Sequence, residues 1–185
     1  MFLDIGIGIL AAVLVSKIFV LPLSLGLVFV GVIFALLPDL DFILYKAKKD
    51  LKNIHKHRNL LHYPLLYIPI GVIVILFFSK PLTILFGICS LLHFIHDSIG
   101  IGWGIKWFFP FSKNSYSFLN IYQPPNKEQI PKAFLHIWKD EEMDMIVDKY
   151  GDENWIKNIY FHFHPYAIFE FLVFIIAVVF LLKAL

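Results

Sequence analysis

At 185 residues the chain has the length of one domain, yet 59% of it is apolar and only 16% is charged, against about 45–50% and about 25% in a soluble domain. That excess is too large for an ordinary water-facing surface, and a net charge of +2 gives no basis for binding nucleic acid. The single cysteine, Cys89, lies inside an apolar run; it has no partner for an intrachain disulfide, lacks zinc–thiolate spacing, and reads as a small buried apolar residue.

Residues 2–37 are almost wholly apolar, interrupted by Asp4, Ser16, Lys17, Pro22 and Ser24. A bilayer span takes about 20 residues, so this stretch is too long for one span and slightly short for two. Pro22 disfavours helix at the residue before it. The pattern predicts a tight helical hairpin, 3–20 and 23–37, with Lys17 snorkelling near the turn. Met1-Phe2-Leu3-Asp4 has no basic n-region, so the first helix is expected to be retained rather than cleaved.

Leu37-Pro38-Asp39-Leu40-Asp41 is expected to end the second helix. Residues 45–58 then carry Lys46, Lys48, Lys49, Lys52, Lys56 and Arg58 against Asp50, which by the positive-inside rule puts this loop, and the N-terminus, in the cytoplasm. Residues 64–79 and 81–97 read as a second hairpin, with Pro64 and Pro81 in first turns, where a missing N–H costs nothing. Residues 98–111 are too short and glycine-broken to span, and Trp103 and Trp107 suit an interfacial position. Residues 112–160 hold eight acids and six lysines and are the water-soluble stretch; 134–149 is expected to be an amphipathic helix. Pro165 opens a fifth apolar run, 166–183, which leaves the C-terminus outside. The expectation is an all-α integral membrane protein with about five transmembrane helices, two hairpins plus a C-terminal span, and a small cytoplasmic segment.

Three groups of chemically active residues fall at helix ends on one side of this arrangement: Asp39 and Asp41; His57, Arg58 and His62; and His93, His96 and Asp97. Asp4 starts the first helix at the same face. Residues at i, i+3 and i+4 share a helix face, which fits His93, His96 and Asp97. Imidazole with carboxylate suits zinc, manganese or iron. Ionisable groups in or beside spans are costly and tend to be paired and functional, and a cation would relieve the repulsion among the carboxylates. Taken singly, Asp39 reads as a cap and each histidine as an interfacial residue; together they point to a metal or proton-handling site. His55 reads as solvated. His162 and His164 favour an interfacial role over ligation, His136 is assigned no role, and Glu170 reads equally as a partner of the site or as an interfacial residue.

Leu37-Pro38-Asp39-Leu40-Asp41, His57-Arg58-Asn59-Leu60-Leu61-His62 and His93-Phe94-Ile95-His96-Asp97 leading to Pro110-Phe111 resemble the elements of the YdjM-type membrane-bound, metal-dependent hydrolase family. The resemblance covers about residues 1–111. That family shows P-D-x-D, H-R-x-x-x-H and H-x-x-x-D elements in this order and is distantly similar to zinc-dependent phospholipase C and related nucleases. The resemblance implies functional roles for Asp39, Asp41, His57, Arg58, His62, His93 and Asp97. Tyr63 stands where the family often has Ser. Asp4 stands near a common Thr-His, so either Asp4 replaces a His ligand or the ligand set is incomplete.

The organisation expected is a membrane-embedded hydrolase domain over 1–111, a cytoplasmic segment over 112–164 and a C-terminal transmembrane helix over 165–185. The leading expectation is a cell-membrane enzyme that uses one or more divalent ions, zinc or manganese, to direct water onto a phosphoester, such as a phospholipid or lipid-linked substrate. Asp4, Asp39, Asp41, His62, His93 and Asp97 would hold metal; His57 and His96 would serve as further ligands or acid–base groups; Arg58 would clamp an anionic group. The rivals are a transport or proton-relay protein, against which a site away from the midplane argues, and a non-catalytic scaffold whose soluble segment binds a partner.

Overall fold

The computed structural model describes residues 1–42, 58, 60–125 and 127–185; His57, His55 and most of the basic 45–58 loop lie outside them. Helix α1 (Phe2–Ile18) and helix α2 (Leu25–Leu36) form the first hairpin. Ser24 caps α2, its hydroxyl accepting from the Leu27 amide at 3.2 Å. The two helices touch through glycine. A Cβ on Gly8 would lie 2.6 Å from the Val32 Cα, and one on Gly31 would lie 2.4 Å from the Gly8 carbonyl oxygen. Small residues at such a crossing let helix backbones approach closely. Because α1 and α2 run up and down, the crossing brings Asp4 and Asp39 to the same end.

Pro38 does not stop the second helix, contrary to the sequence reading. It sits in the first turn of a 3₁₀ segment, Leu37–Asp39, and the helical run continues from Leu25 to Phe42. A proline lacks the N–H that an α-turn would need from it, and tightening to 3₁₀ keeps the chain helical around that gap.

Helix α3 (Pro64–Leu76) and helix α4 (Lys80–Asp97) form the second hairpin, with prolines in both first turns and Ser79 capping α4. Gly71 admits the Phe86 ring, which would lie 2.2 Å from a Cβ at that position. Helix α1 packs against α2, α4 and the C-terminal helix α6 (Pro165–Ala184), whereas α3 packs chiefly on α4. The core between them is built from Ala11, Ala12, Val15, Ala35, Leu85, Cys89 and Ala177.

Between α4 and α6 lies a small cap. Strand β1 (Ser115–Phe118) pairs antiparallel with strand β2 (Leu135–Trp138), with Ser115 opposite Trp138. Helix α5 (Met143–Tyr150) follows. The expected helix over 134–149 therefore starts nine residues late, and its first part is strand. Leu135-His136-Ile137-Trp138 is rich in β-branched and aromatic side chains, buries the inward His136, and finds its ladder in β1, a pairing that helical periodicity does not reveal. The protein is mostly helical rather than all-α. Among the described residues, two helical runs are long and apolar enough by themselves to cross a membrane, Leu25–Phe42 and Pro165–Ala184. At about 1.5 Å per residue α3 is about 20 Å long, short of the hydrocarbon thickness of about 30 Å.

Candidate metal centre

The four helix ends and the His62 turn converge at one end of the bundle. Asp39 comes from the 3₁₀ turn after α2, His62 from the two residues before α3, and His93 and Asp97 from the last turns of α4. One ligand atom from each of these four lies within 4.8 Å of all the others. The edges can be compared with coordination geometry. His62 Nε2 is 3.7 Å from Asp39 Oδ1 and 3.1 Å from Asp97 Oδ2. His93 Nε2 is 3.8 Å from Asp39 Oδ1 and 3.9 Å from Asp97 Oδ2. A tetrahedral cation with bonds of about 2.1 Å has ligand–ligand edges of about 3.4 Å, so this group needs only small adjustments to surround one ion.

The side chains behind the histidines matter as much. Asp41 Oδ2 is 2.9 Å from His62 Nδ1 and also accepts from the Leu61 amide at 3.2 Å. Asp4 Oδ1 is 3.1 Å from His93 Nδ1. A carboxylate only accepts, so each Nδ1 carries a hydrogen, and each Nε2 faces the group of four as the atom that offers a lone pair to a cation once the ring is neutral. His93 Nε2 is buried and has no hydrogen-bond partner, an expensive state for an imidazole nitrogen that a cation would relieve. Asp41, His62 and His93 are buried, while Asp39 is the exposed member, with 39% of its side chain accessible. The group thus opens to solvent on the Asp39 side.

Burial disfavours the charged form of His62, but Asp39, Asp41 and Asp97 outweigh it and hold the ring well above the usual histidine range. Asp4, Asp39, Asp41, Asp97 and Glu170 crowd one end of the bundle. Besides the histidines, the cationic groups among the described residues there are Arg58 and the Met1 amine, which lies 3.0 Å from Asp4 Oδ2.

The remaining expected site residues fall around this group. Asp4 and Asp41 face the outer nitrogens of the two histidines rather than the centre. His96 turns neither nitrogen to the centre: Nδ1 is 3.0 Å from Asp4 Oδ1 and Nε2 is 3.2 Å from Glu170 Oε1. Arg58 Nη2 lies 3.5 Å from Asp97 Oδ2, while Nη1 donates to the Gly104 carbonyl at 3.1 Å. That carbonyl is offered by a run of left-handed glycines; a Cβ on Gly104, at φ +69°, would lie 1.8 Å from the Tyr116 carbonyl oxygen. Arg58 also lines a cavity of about 300 Å³ with Trp103, Lys106, Ser115 and the acids Asp140, Glu141 and Asp144. His57 is outside the described residues. His164 caps α6, its Nδ1 accepting from the Tyr166 amide at 3.3 Å, and His162 is exposed.

Sequence reasoning missed Tyr160, whose hydroxyl donates to Glu170 Oε1 at 3.0 Å, and left Glu170 undecided. The available signal was energetic: a carboxylate one turn into an apolar helix needs a partner.

No curated protein and no solved structure matches the chain. A family model does match, over residues 3–183, nearly the full length and well beyond the part in which the sequence elements occur. The chain belongs to the family described as YdjM inner membrane protein.

Proposed function

We propose that this protein is a multi-pass membrane enzyme that holds one divalent transition-metal ion between Asp39, His62, His93 and Asp97 and hydrolyses a phosphoester at the cytoplasmic face. The observation that carries the reading is the pair of carboxylate–histidine units, Asp41–His62 and Asp4–His93. Each fixes a ring so that Nε2 faces the same two carboxylate oxygens. Histidine metal ligands are held in this way by an outer carboxylate, and hydrogen-bonded packing alone would not leave His93 Nε2 unpartnered.

When bound, the ion supplies Lewis acidity for a phosphoryl oxygen and for the attacking water. The chain's own residues do the rest. Asp41 and Asp4 hold the rings in the ligating tautomer. Asp39, the exposed ligand, borders the route by which substrate and water reach the centre. Arg58 pins the Asp97 carboxylate and, as a wall of the neighbouring cavity, offers guanidinium hydrogen bonds to an anionic group there. His96, with both nitrogens on carboxylates, acts as a positioning residue rather than as an acid or base. A lipid or lipid-linked phosphoester fits a site at the end of a membrane bundle.

The five-span arrangement with a cytoplasmic N-terminus belongs to the same proposal. Its support is the outward apolar face of α3, where Leu65, Ile70, Ile73 and Val74 are exposed, together with the lysine-rich loop that precedes it. Reporter fusions after residues 50 and 130 are expected to read cytoplasmic, and one at residue 185 external; an external signal at 50 would reverse the orientation.

The decisive experiment is elemental analysis of gently purified protein with a phosphoesterase assay, beside Asp97→Ala. About one zinc or manganese per chain, lost in the variant together with turnover, is expected. A wild-type protein that neither contains nor takes up either metal sinks the hydrolase reading. Solute flux in liposomes without phosphoester turnover would instead favour a transporter.

A further inference from the structure

Behind the four-ligand group lies a second set of buried polar side chains, anchored on α6 rather than on the sequence elements of residues 1–111. Glu170 is fully buried one turn into that helix. Its Oε1 accepts from the Tyr160 hydroxyl at 3.0 Å and lies 3.2 Å from His96 Nε2. His96 Nδ1 lies 3.0 Å from Asp4 Oδ1, the oxygen that His93 Nδ1 reaches at 3.1 Å. A continuous line of hydrogen bonds therefore runs Tyr160, Glu170, His96, Asp4, His93. It ends on a ring whose other nitrogen belongs to the candidate metal centre. Tyr166 stacks on the His96 ring with centroids 5.8 Å apart and planes at 13°.

The geometry of Asp4 explains what this line does. One of its oxygens serves two imidazoles, so its plane is set by both donors at once. The other oxygen, Oδ2, is held 3.0 Å from the Met1 amine, so without the His96 donor the carboxylate loses one of the two contacts that fix Oδ1, and the His93 ring it carries can shift with it. His96 in turn is held at its other nitrogen by Glu170. The close approach of α1 and α6, where a Cβ on Gly6 would lie 3.2 Å from the Phe174 Cα, keeps Asp4 and Glu170 on either side of that ring. Glu170 Oε2 also lies 3.3 Å from the Met1 amine, yet a buried carboxylate in an apolar helix is costly, and an apolar residue of similar volume often serves stability as well or better, so packing alone does not account for Glu170.

We propose that Glu170, acting through His96 and Asp4, is a positioning residue for the metal centre, so that α6 sets cation affinity although it contributes no ligand. This rests on the reading of Asp39, His62, His93 and Asp97 as a cation site.

The test uses the full chain in detergent, loaded with cobalt(II), with affinity measured by chelator competition and ligand geometry by the visible cobalt spectrum. Glu170→Leu is expected to weaken cobalt binding about 10–100-fold and to alter the spectrum. Glu170→Gln keeps an acceptor oxygen for His96 and is expected to recover most of the loss. The double variant His96→Leu/Glu170→Leu should be no weaker than the worse single variant, because both break one line. If Glu170→Leu does not fold, Tyr160→Phe carries the test and is expected to loosen cobalt by about threefold or more, the size of one lost hydrogen bond, with Glu170→Gln close to wild type. A folded Glu170→Leu variant that melts lower yet keeps the wild-type spectrum and affinity would make the residue merely structural and overturn the proposal, as would strictly additive losses in the double variant. Cobalt bound normally by wild type and by every variant defeats this inference alone; a wild-type chain that binds no cobalt defeats the metal reading and this inference with it.

Discussion

Two histidine–carboxylate clusters sit side by side at one end of this bundle, and they differ in what their nitrogens face. Around His96 both ring nitrogens meet carboxylate oxygens, from Asp4 and Glu170. Around His93 only Nδ1 is within hydrogen-bonding distance of a carboxylate, while Nε2 stands 3.8 Å from Asp39 and 3.9 Å from Asp97, the same two carboxylates that His62 Nε2 faces at 3.7 and 3.1 Å. A closed cluster of the first kind rigidifies its surroundings. An arrangement of the second kind, with a buried nitrogen lacking a partner, has a use for a cation. Identical residue types thus suit a scaffold or a candidate ligand set according to which carboxylates their nitrogens reach.

The largest expected effect breaks this comparison directly. His93→Ala should abolish divalent-metal binding while the protein still inserts, whereas His96→Ala should weaken binding only about 10–100-fold. Titration calorimetry with zinc on both variants checks it; equal losses would mean that the two clusters are one site.

A second effect sharpens the comparison through pH. His62 in the cation-free protein is held well above the ordinary histidine range. A raised histidine pKa gives stability that is fully present below the unfolded value, about 6.5, and that is lost as pH rises through the folded value. Metal ligation needs the neutral ring and releases its proton, so metal affinity has the opposite trend and falls as pH is lowered. The difference in melting temperature between metal-loaded and metal-free protein should widen with rising pH. A difference that does not change with pH would remove His62 from the ligand set.

Arg58→Lys tests the rim. A lysine cannot span Asp97 and the Gly104 carbonyl at once. Metal should be retained, with phosphoester turnover down by about tenfold, the size of one charged hydrogen bond. Loss of metal instead would make Arg58 a structural partner of Asp97 alone. The smallest effect belongs to the cap. Lys106 pairs with Asp140, whose side chain is 41% exposed, so Lys106→Ala should cost about 1 kcal/mol or less and leave zinc affinity within about twofold.

Much of this was legible in the sequence because the signals are local. The proline-opened turns at Pro64, Pro81 and Pro165, the Ser24 cap and the i, i+4 relation of His93 and Asp97 each depend on a few neighbouring residues. The length of the second helix was not legible, because Pro38 yields either a stop or a 3₁₀ turn and packing chooses between them. The strand at 135–138 was hidden for a similar reason: its partner lies about twenty residues upstream.

The sequence by itself determined a membrane-like composition, the helical segments and the placement of Asp39, Asp41, His62, His93 and Asp97 at helix ends, since hydrophobic runs and their punctuation settle those. Only the tertiary structure decided which carboxylates face the candidate metal centre and which stand behind the histidines. Asp39 and Asp41 are two residues apart on a helical turn and so point to different sides, and Asp4 and Glu170 meet His93 and His96 only because α1, α4 and α6 pack together. The division of labour among these groups is a property of that packing, because a carboxylate's role here depends on which nitrogen of which ring it reaches.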